Sequence, residues 1–125
     1  MKYKQFEELP LWIQSRKLVR LIYAHCNRAA FKNDYGLIDQ MRRAAVSVML
    51  NISEGFGRRS NKEFARFINQ AKASANEVRC GLYIAIDLNY LTQNEFDILF
   101  REVTSIANQL FKFEKYLLNT HKIIS

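Results

Sequence analysis

Gln40 to Gly57, QMRRAAVSVMLNISEGFG, carries two stripes on a single helix. At about 100° per residue, Gln40, Ala44, Ser47, Asn51 and Glu54 share a narrow polar or small-residue sector. Leu37, Met41, Ala45, Val48 and Ile52 form the apolar stripe beside it, and Val46, Met49 and Leu50 take the remaining side. So little of the circumference is charged that the helix is expected to be central and to touch another chain.

Working outward, the same periodicity gives three more helices. Pro10 suits a first helical position after a short lead, residues 1–9, anchored by Phe6 and Leu9. The first helix, to about Asn27, sets Leu11, Trp12, Leu18, Val19, Ile22 and Cys26 against a cationic face of Arg16, Lys17, Arg20 and Arg28. Residues 28–36 form a loop. Gly55 and Gly57 are expected to end the second helix through a left-handed residue. Ser60-Asn61-Lys62-Glu63 and Thr92-Gln93-Asn94-Glu95 both match the capping box, which opens the third and fourth helices. The third, to about Leu88, points Phe64, Phe67, Ile68, Ala71, Val78 and Leu82 inward. Arg59, Lys62, Arg66, Asn69 and Asn76 lie on its opposite side. The fourth, to about Asn119, buries Phe96, Leu99, Val103, Ile106, Leu110 and Leu117, and residues 120–125 are expected to fray. Short connections force antiparallel neighbours, so the fold class is all-α, an up-down-up-down four-helix bundle in one domain spanning 1–125.

Composition narrows the function. A chain of 125 residues with 49% hydrophobic residues and one proline supports a single core. No apolar run approaches the roughly 20 residues that span a bilayer, and the first ten residues lack the apolar segment of a signal peptide, so a cytoplasmic location is expected. Cys26 and Cys80 are expected to be buried free thiols. With His25 and His121 far apart and no Cys-x-x-Cys, neither a metal site nor a cofactor is implied. The excess of 19 Lys and Arg over 12 Asp and Glu, a net charge of +7, favours polyanionic partners.

Three sets of residues are candidates for function. Gln40, Ser47, Asn51 and Glu54, with Ser74 and Glu77 on the third helix, form a polar line. Ser47 and Glu54 stand two turns apart, and no histidine or lysine is spaced to deprotonate the serine, so the line is read as a hydrogen-bonded network rather than a catalytic site. Asn51 should bridge to Ser74 or Glu77, and Glu54 should accept from Arg42, Arg43 or the third helix. The second set, Arg42, Arg43, Arg58, Arg59, Lys62 and Arg66, flanks the turn between the second and third helices. It could hold an RNA or DNA backbone with help from the amides that open the third helix. Phe56 is the one aromatic residue interleaved with it. The third set, Val46, Met49 and Leu50, with Ile13 and Tyr23, is apolar where a monomer should be wet, and fits self-association or a protein–protein scaffold. No small-molecule substrate and no catalytic residue is expected.

Phe6-x-x-Leu9-x-x-Trp12, then Gln40-x-Arg42-Arg43-Ala44-Ala45-x-Ser47 leading to Asn51-Ile52-x-Glu54-Gly55, then Ser60-x-Lys62-Glu63-Phe64 with Ala71, Ser74 and Glu77, resemble the 23S rRNA intervening-sequence protein family over roughly residues 6–118. The resemblance implies a four-helix bundle assembled into a ring-shaped homopentamer, with nucleic-acid binding as the suspected activity. Many members carry Pro-Ser where this chain has Met49-Leu50. The absent proline implies a straighter second helix, because proline removes a backbone donor and kinks the helix it interrupts.

Overall fold

The computed structural model describes residues 2–124, and side chains as far as Thr120. A single 3₁₀ turn, Phe6–Glu8, leads into α1 (Pro10–Cys26), α2 (Tyr35–Phe56), α3 (Asn61–Asp87) and α4 (Gln93–Ile124), with no strand among the described residues. α3 packs along both α2 and α4, and α1 closes the ring by packing on the other sides of the same two helices. The four therefore run antiparallel in cyclic order, as the short connections require.

Local chemistry fixes the boundaries. Pro10 stands in the first turn of α1 after an extended, buried Leu9. Asp34 caps α2 by accepting the Leu37 amide at 3.2 Å, which starts this helix before Gly36 rather than after it. Ser60 Oγ accepts the Glu63 amide at 3.1 Å and opens α3. Thr92 and Glu95 form a reciprocal box, with Glu95 N donating to Thr92 Oγ1 at 3.1 Å and Thr92 N donating to Glu95 Oε1 at 2.9 Å. α2 is unbroken through Met49-Leu50, as expected without a proline. α4 continues to Ile124, past the expected end at Asn119, and Ser125 lies outside the described residues.

Two expectations about glycine are corrected. No described glycine has positive φ, and Gly57 ends α2 at φ −85°. Gly55 lies inside α2 and serves close packing instead. A Cβ there would sit 2.7 Å from Phe64 Cδ1 and 2.8 Å from Phe67 Cβ. Among the described residues the one left-handed residue is Asn89, at φ 62°, in the tight α3–α4 connection.

The core joins Leu18 and Ile22, Val48 and Ile52, Ile68 and Leu82, and Ile106 and Leu110, each no more than 1% exposed. Ala71, Ala75, Gly81 and Ala85 keep the inner face of α3 small enough for its neighbours to approach. At the end holding the α1–α2 and α3–α4 loops, Tyr90 Oη donates to Asp34 Oδ2 at 2.9 Å, Phe31 and Tyr90 rings lie 5.0 Å apart, and Arg28 pairs with Glu95. The bond to Asp34 raises the Tyr90 pKa above the usual tyrosine value.

α2 is not the centre of the chain. It is one corner of four, with Asp39, Arg43, Leu50 and Glu54 facing outward. Its broad apolar circumference is divided between two neighbours, α1 on one side and α3 on the other, and this division is why the stripe looked too wide for a corner helix.

Cys26 is buried as expected, but Cys80 is exposed on the outer side of α3. Burial pushes the Cys26 thiol pKa up, with the Arg42 charge offsetting part of the rise. A raised pKa leaves less thiolate at a given pH, and the thiolate is the species that reacts. One thiol, Cys80, is therefore expected to react promptly with a disulfide reagent at about pH 8 in the native protein, and Cys26 only on unfolding. Two promptly reacting thiols would contradict the packing around Cys26.

Candidate nucleic-acid interface

The polar line on α2 meets α3 through two hydrogen bonds, one of them backed by two more within α2. Ser74 Oγ donates to Ser47 Oγ at 2.8 Å, and Asn51 Nδ2 donates to Ser47 Oγ at 3.0 Å and to the Ser47 carbonyl at 2.9 Å. One turn or more away, Gln40 Nε2 donates to Glu77 Oε2 at 2.7 Å. Ser47 and Gln40 thus make the links between helices, whereas Asn51 bonds within its own helix. Glu54 stays outside the set and is exposed. The residue of α2 that meets α3 there is Gly55, against Phe64 and Phe67, and Glu54 is turned away from that contact. Glu54 instead edges a shallow groove with Arg43, Val46, Leu50 and Asn51. Within that groove Leu50 is 53% exposed, and Val46 and Met49 on the same side of the helix are half-buried.

The basic set does not form one patch. Arg42 and Arg43 lie near the middle of α2, about 20 Å along the axis from its C-terminal end at a rise of 1.5 Å per residue. The Arg42 guanidinium covers the Tyr23 ring at 4.7 Å and donates to Asn27 Oδ1 at 3.0 Å, which ties it to α1. Arg43 pairs with Asp39 at 3.3 Å. Arg58 lies over Phe67 at 4.4 Å. Arg59, Lys62 and Arg66 are exposed, and none has a carboxylate partner among the described residues. They gather where α3 begins, the end at which free backbone amides and the helix dipole add to the positive field. Phe56 is no platform for a base, because it is half-buried and packs edge-on against Phe64 at 6.1 Å.

A second cationic region, missed in the sequence, follows the seam between α3 and α4. Arg79 lies 5.2 Å over Phe100, and Lys115 and Lys72, the latter neutralised by Glu114 at 2.9 Å, lie 5.4 and 5.3 Å from the Phe111 ring centre. Tyr83 joins Phe96 and Phe100 at 5.4 and 5.1 Å. The available signal was Tyr83 and Phe111 themselves, two rings that fall off the inward stripes of their helices.

Among the described residues no group of three or more His, Cys, Asp or Glu could hold a metal ion, and no helix is long and apolar enough to cross a membrane. Comparison with solved structures finds a crystal structure of a protein of unknown function from the S23 ribosomal protein family of Bacteroides thetaiotaomicron. It is 23% identical, with a TM-score of 0.77, over 84% of this chain and 98% of that one, a likeness of fold. No curated protein matches the chain. The model of one family spans residues 7–112, which takes in the polar line of α2, the cationic start of α3 and most of α4, and on that span the chain belongs to the 23S rRNA-intervening sequence protein family.

Proposed function

We propose that this protein acts by binding rather than catalysis, as a self-associating bundle that holds RNA or DNA by its phosphate backbone at the outer start of α3. The observation that carries this reading is the trio Arg59, Lys62 and Arg66, exposed together and in no ion pair among the described residues. Cations so placed are available to phosphates, whereas Arg42 and Arg43 are engaged with Tyr23 and Asp39. Contact of this kind positions a backbone without reading sequence.

Each phosphate neutralised releases counterions, so affinity should fall linearly with salt on logarithmic axes. Filter binding of structured RNA and duplex DNA across a salt series tests the proposal. Replacing Arg59, Lys62 and Arg66 together by Gln is expected to flatten the slope by roughly 2 to 3, at about 0.7 to 0.9 per phosphate contact. Absence of binding at low ionic strength would end the proposal.

A second reading, a protein–protein scaffold without a nucleic-acid role, is favoured by the outward Leu50 beside Val46 and Met49. We place copies of this chain there, in the pentamer that the family resemblance implies. The two readings are compatible, since the apolar side of α2 and the cationic start of α3 occupy different surfaces.

A further inference from the structure

The outer side of α3 does not end at its basic start. Lys62, Arg66, Asn69, Asn76, Cys80 and Tyr83 follow one another at three-, four- or seven-residue spacing, and all are exposed. They line one side of the helix over about 30 Å. The order along this track is cationic, then uncharged amide, then aromatic. Its far end is a cluster in which Tyr83, 54% exposed, leans on Phe96 and Phe100, themselves stacked 5.0 Å apart with 22° between their planes. Arg79 covers Phe100 and donates to Asn76 Oδ1 at 3.4 Å, and the exposed Arg101 stands one turn beyond Asp97 on α4. Asp97 borders this cluster on α4 and accepts from Gln93 at 2.9 Å.

We propose that a single-stranded nucleic acid lies along the outer side of α3, with phosphates at Arg59, Lys62 and Arg66 and a base stacked on Tyr83 beside the Phe96–Phe100 pair. The proposal rests on the backbone-binding reading above and adds the form of the ligand. A positive track that follows the backbone and ends on an exposed ring is the arrangement that holds single strands with little regard to sequence, since every base has a face to stack. Within a duplex those faces are covered by neighbouring pairs. At about 3.4 Å per phosphate of a stacked strand, 30 Å accommodates roughly nine nucleotides, within the roughly 4 to 16 typical of such sites. The cations around the rings, Arg79 and Arg101, favour this occupant over an apolar protein surface. The track lies on α3 away from Leu50, so self-association through α2 leaves it open.

Fluorescence anisotropy at low salt, with a labelled oligo-dT of about 12 nucleotides, an abasic strand of equal length and charge, and a duplex, tests the proposal. The wild type is expected to bind oligo-dT at least about fivefold more tightly than the abasic strand, the smaller end of what one stacked base contributes. Tyr83→Leu, which keeps an apolar contact with Phe96 and Phe100, is expected to abolish that preference and leave abasic affinity unchanged. Tyr83→Phe is expected to retain it. Unchanged circular dichroism and thermal midpoint verify that the fold persists. Equal affinity of the wild type for oligo-dT and the abasic strand, a preference for duplex, or no effect of Tyr83→Leu would overturn the stacking site while leaving backbone binding intact. Binding to none of the three would overturn both.

Discussion

Gly55→Leu is expected to lower the thermal midpoint by about 10 °C or more, and Gly55→Ala by a smaller but clear amount. Even the first added carbon would meet Phe67 Cβ at 2.8 Å and Phe64 Cδ1 at 2.7 Å. The Phe67 Cβ is fixed to the backbone of α3, so relief requires the two helices to separate rather than a rotamer to change. Overpacking of this kind costs about 1 to 3 kcal/mol for the first methylenes and more for a full side chain. Alanine recovers about 1 kcal/mol through its better helix propensity, and leucine recovers a similar amount. The clash therefore wins at Gly55 in both variants. At roughly 3 to 6 °C per kcal/mol for a chain of this size, the leucine variant loses the quoted amount.

Two other glycines serve as controls. At Gly81 the new carbon would meet Met41 Cγ at 2.8 Å, but methionine is unbranched and can yield, so Gly81→Ala should change the midpoint little. Gly36, in the first turn of α2 with nothing within 4 Å of its added carbon, should tolerate alanine with a gain of about 0.4 to 1 kcal/mol. Thermal denaturation of the three alanine variants measures the ranking. A midpoint for Gly55→Ala at or above that of Gly36→Ala would show that α2 and α3 do not approach at Phe64 and Phe67 as described.

The elements were legible because local chemistry sets them. Ser60 and Thr92 act within three residues of where the caps were read, and the inward stripes of α3 and α4 are a matter of phase along a single helix. What depends on two helices at once was not legible. Periodicity shows that Gly55 is near the end of α2, yet only the register against α3 shows that it faces Phe64 and Phe67. Glu54 has no donor among the described residues for the same reason. Arg42 and Arg58 look neighbourly in a list of basic residues, but the rise of a helix separates them, and the ring beneath Arg42 comes from α1. The aromatic seam combines Tyr83 and Arg79 of α3 with Phe96 and Phe100 of α4, so neither helix alone displays it. Cys80 was misplaced because a cysteine among apolar neighbours resembles a core residue, while its phase puts it with Asn76 and Tyr83.

If copies of this chain meet through α2 as proposed, Leu50→Glu is expected to leave a 14.7 kDa monomer at micromolar concentration with its helicity intact. Leu50 is 53% exposed and Val46 and Met49 beside it are half-buried, so these side chains contribute less to the core of their own chain than the fully buried Val48 and Ile52. Burying an exposed leucine in an interface gains up to about 1.5 to 3 kcal/mol, roughly 10- to 150-fold in affinity. A glutamate in its place forfeits that gain and adds the cost of desolvating a charge, while Glu54, one turn further along the same exposed side, repels it. In the ring that the family resemblance implies, every interface would carry the substitution, so the losses would multiply around it. Arg43, the cation lining the same groove among the described residues, is already paired with Asp39. Light scattering of the wild type and Leu50→Glu, with circular dichroism of both, measures the outcome. A wild type that is monomeric throughout, or a Leu50→Glu variant of unchanged mass, would remove α2 as the surface through which copies of this chain meet.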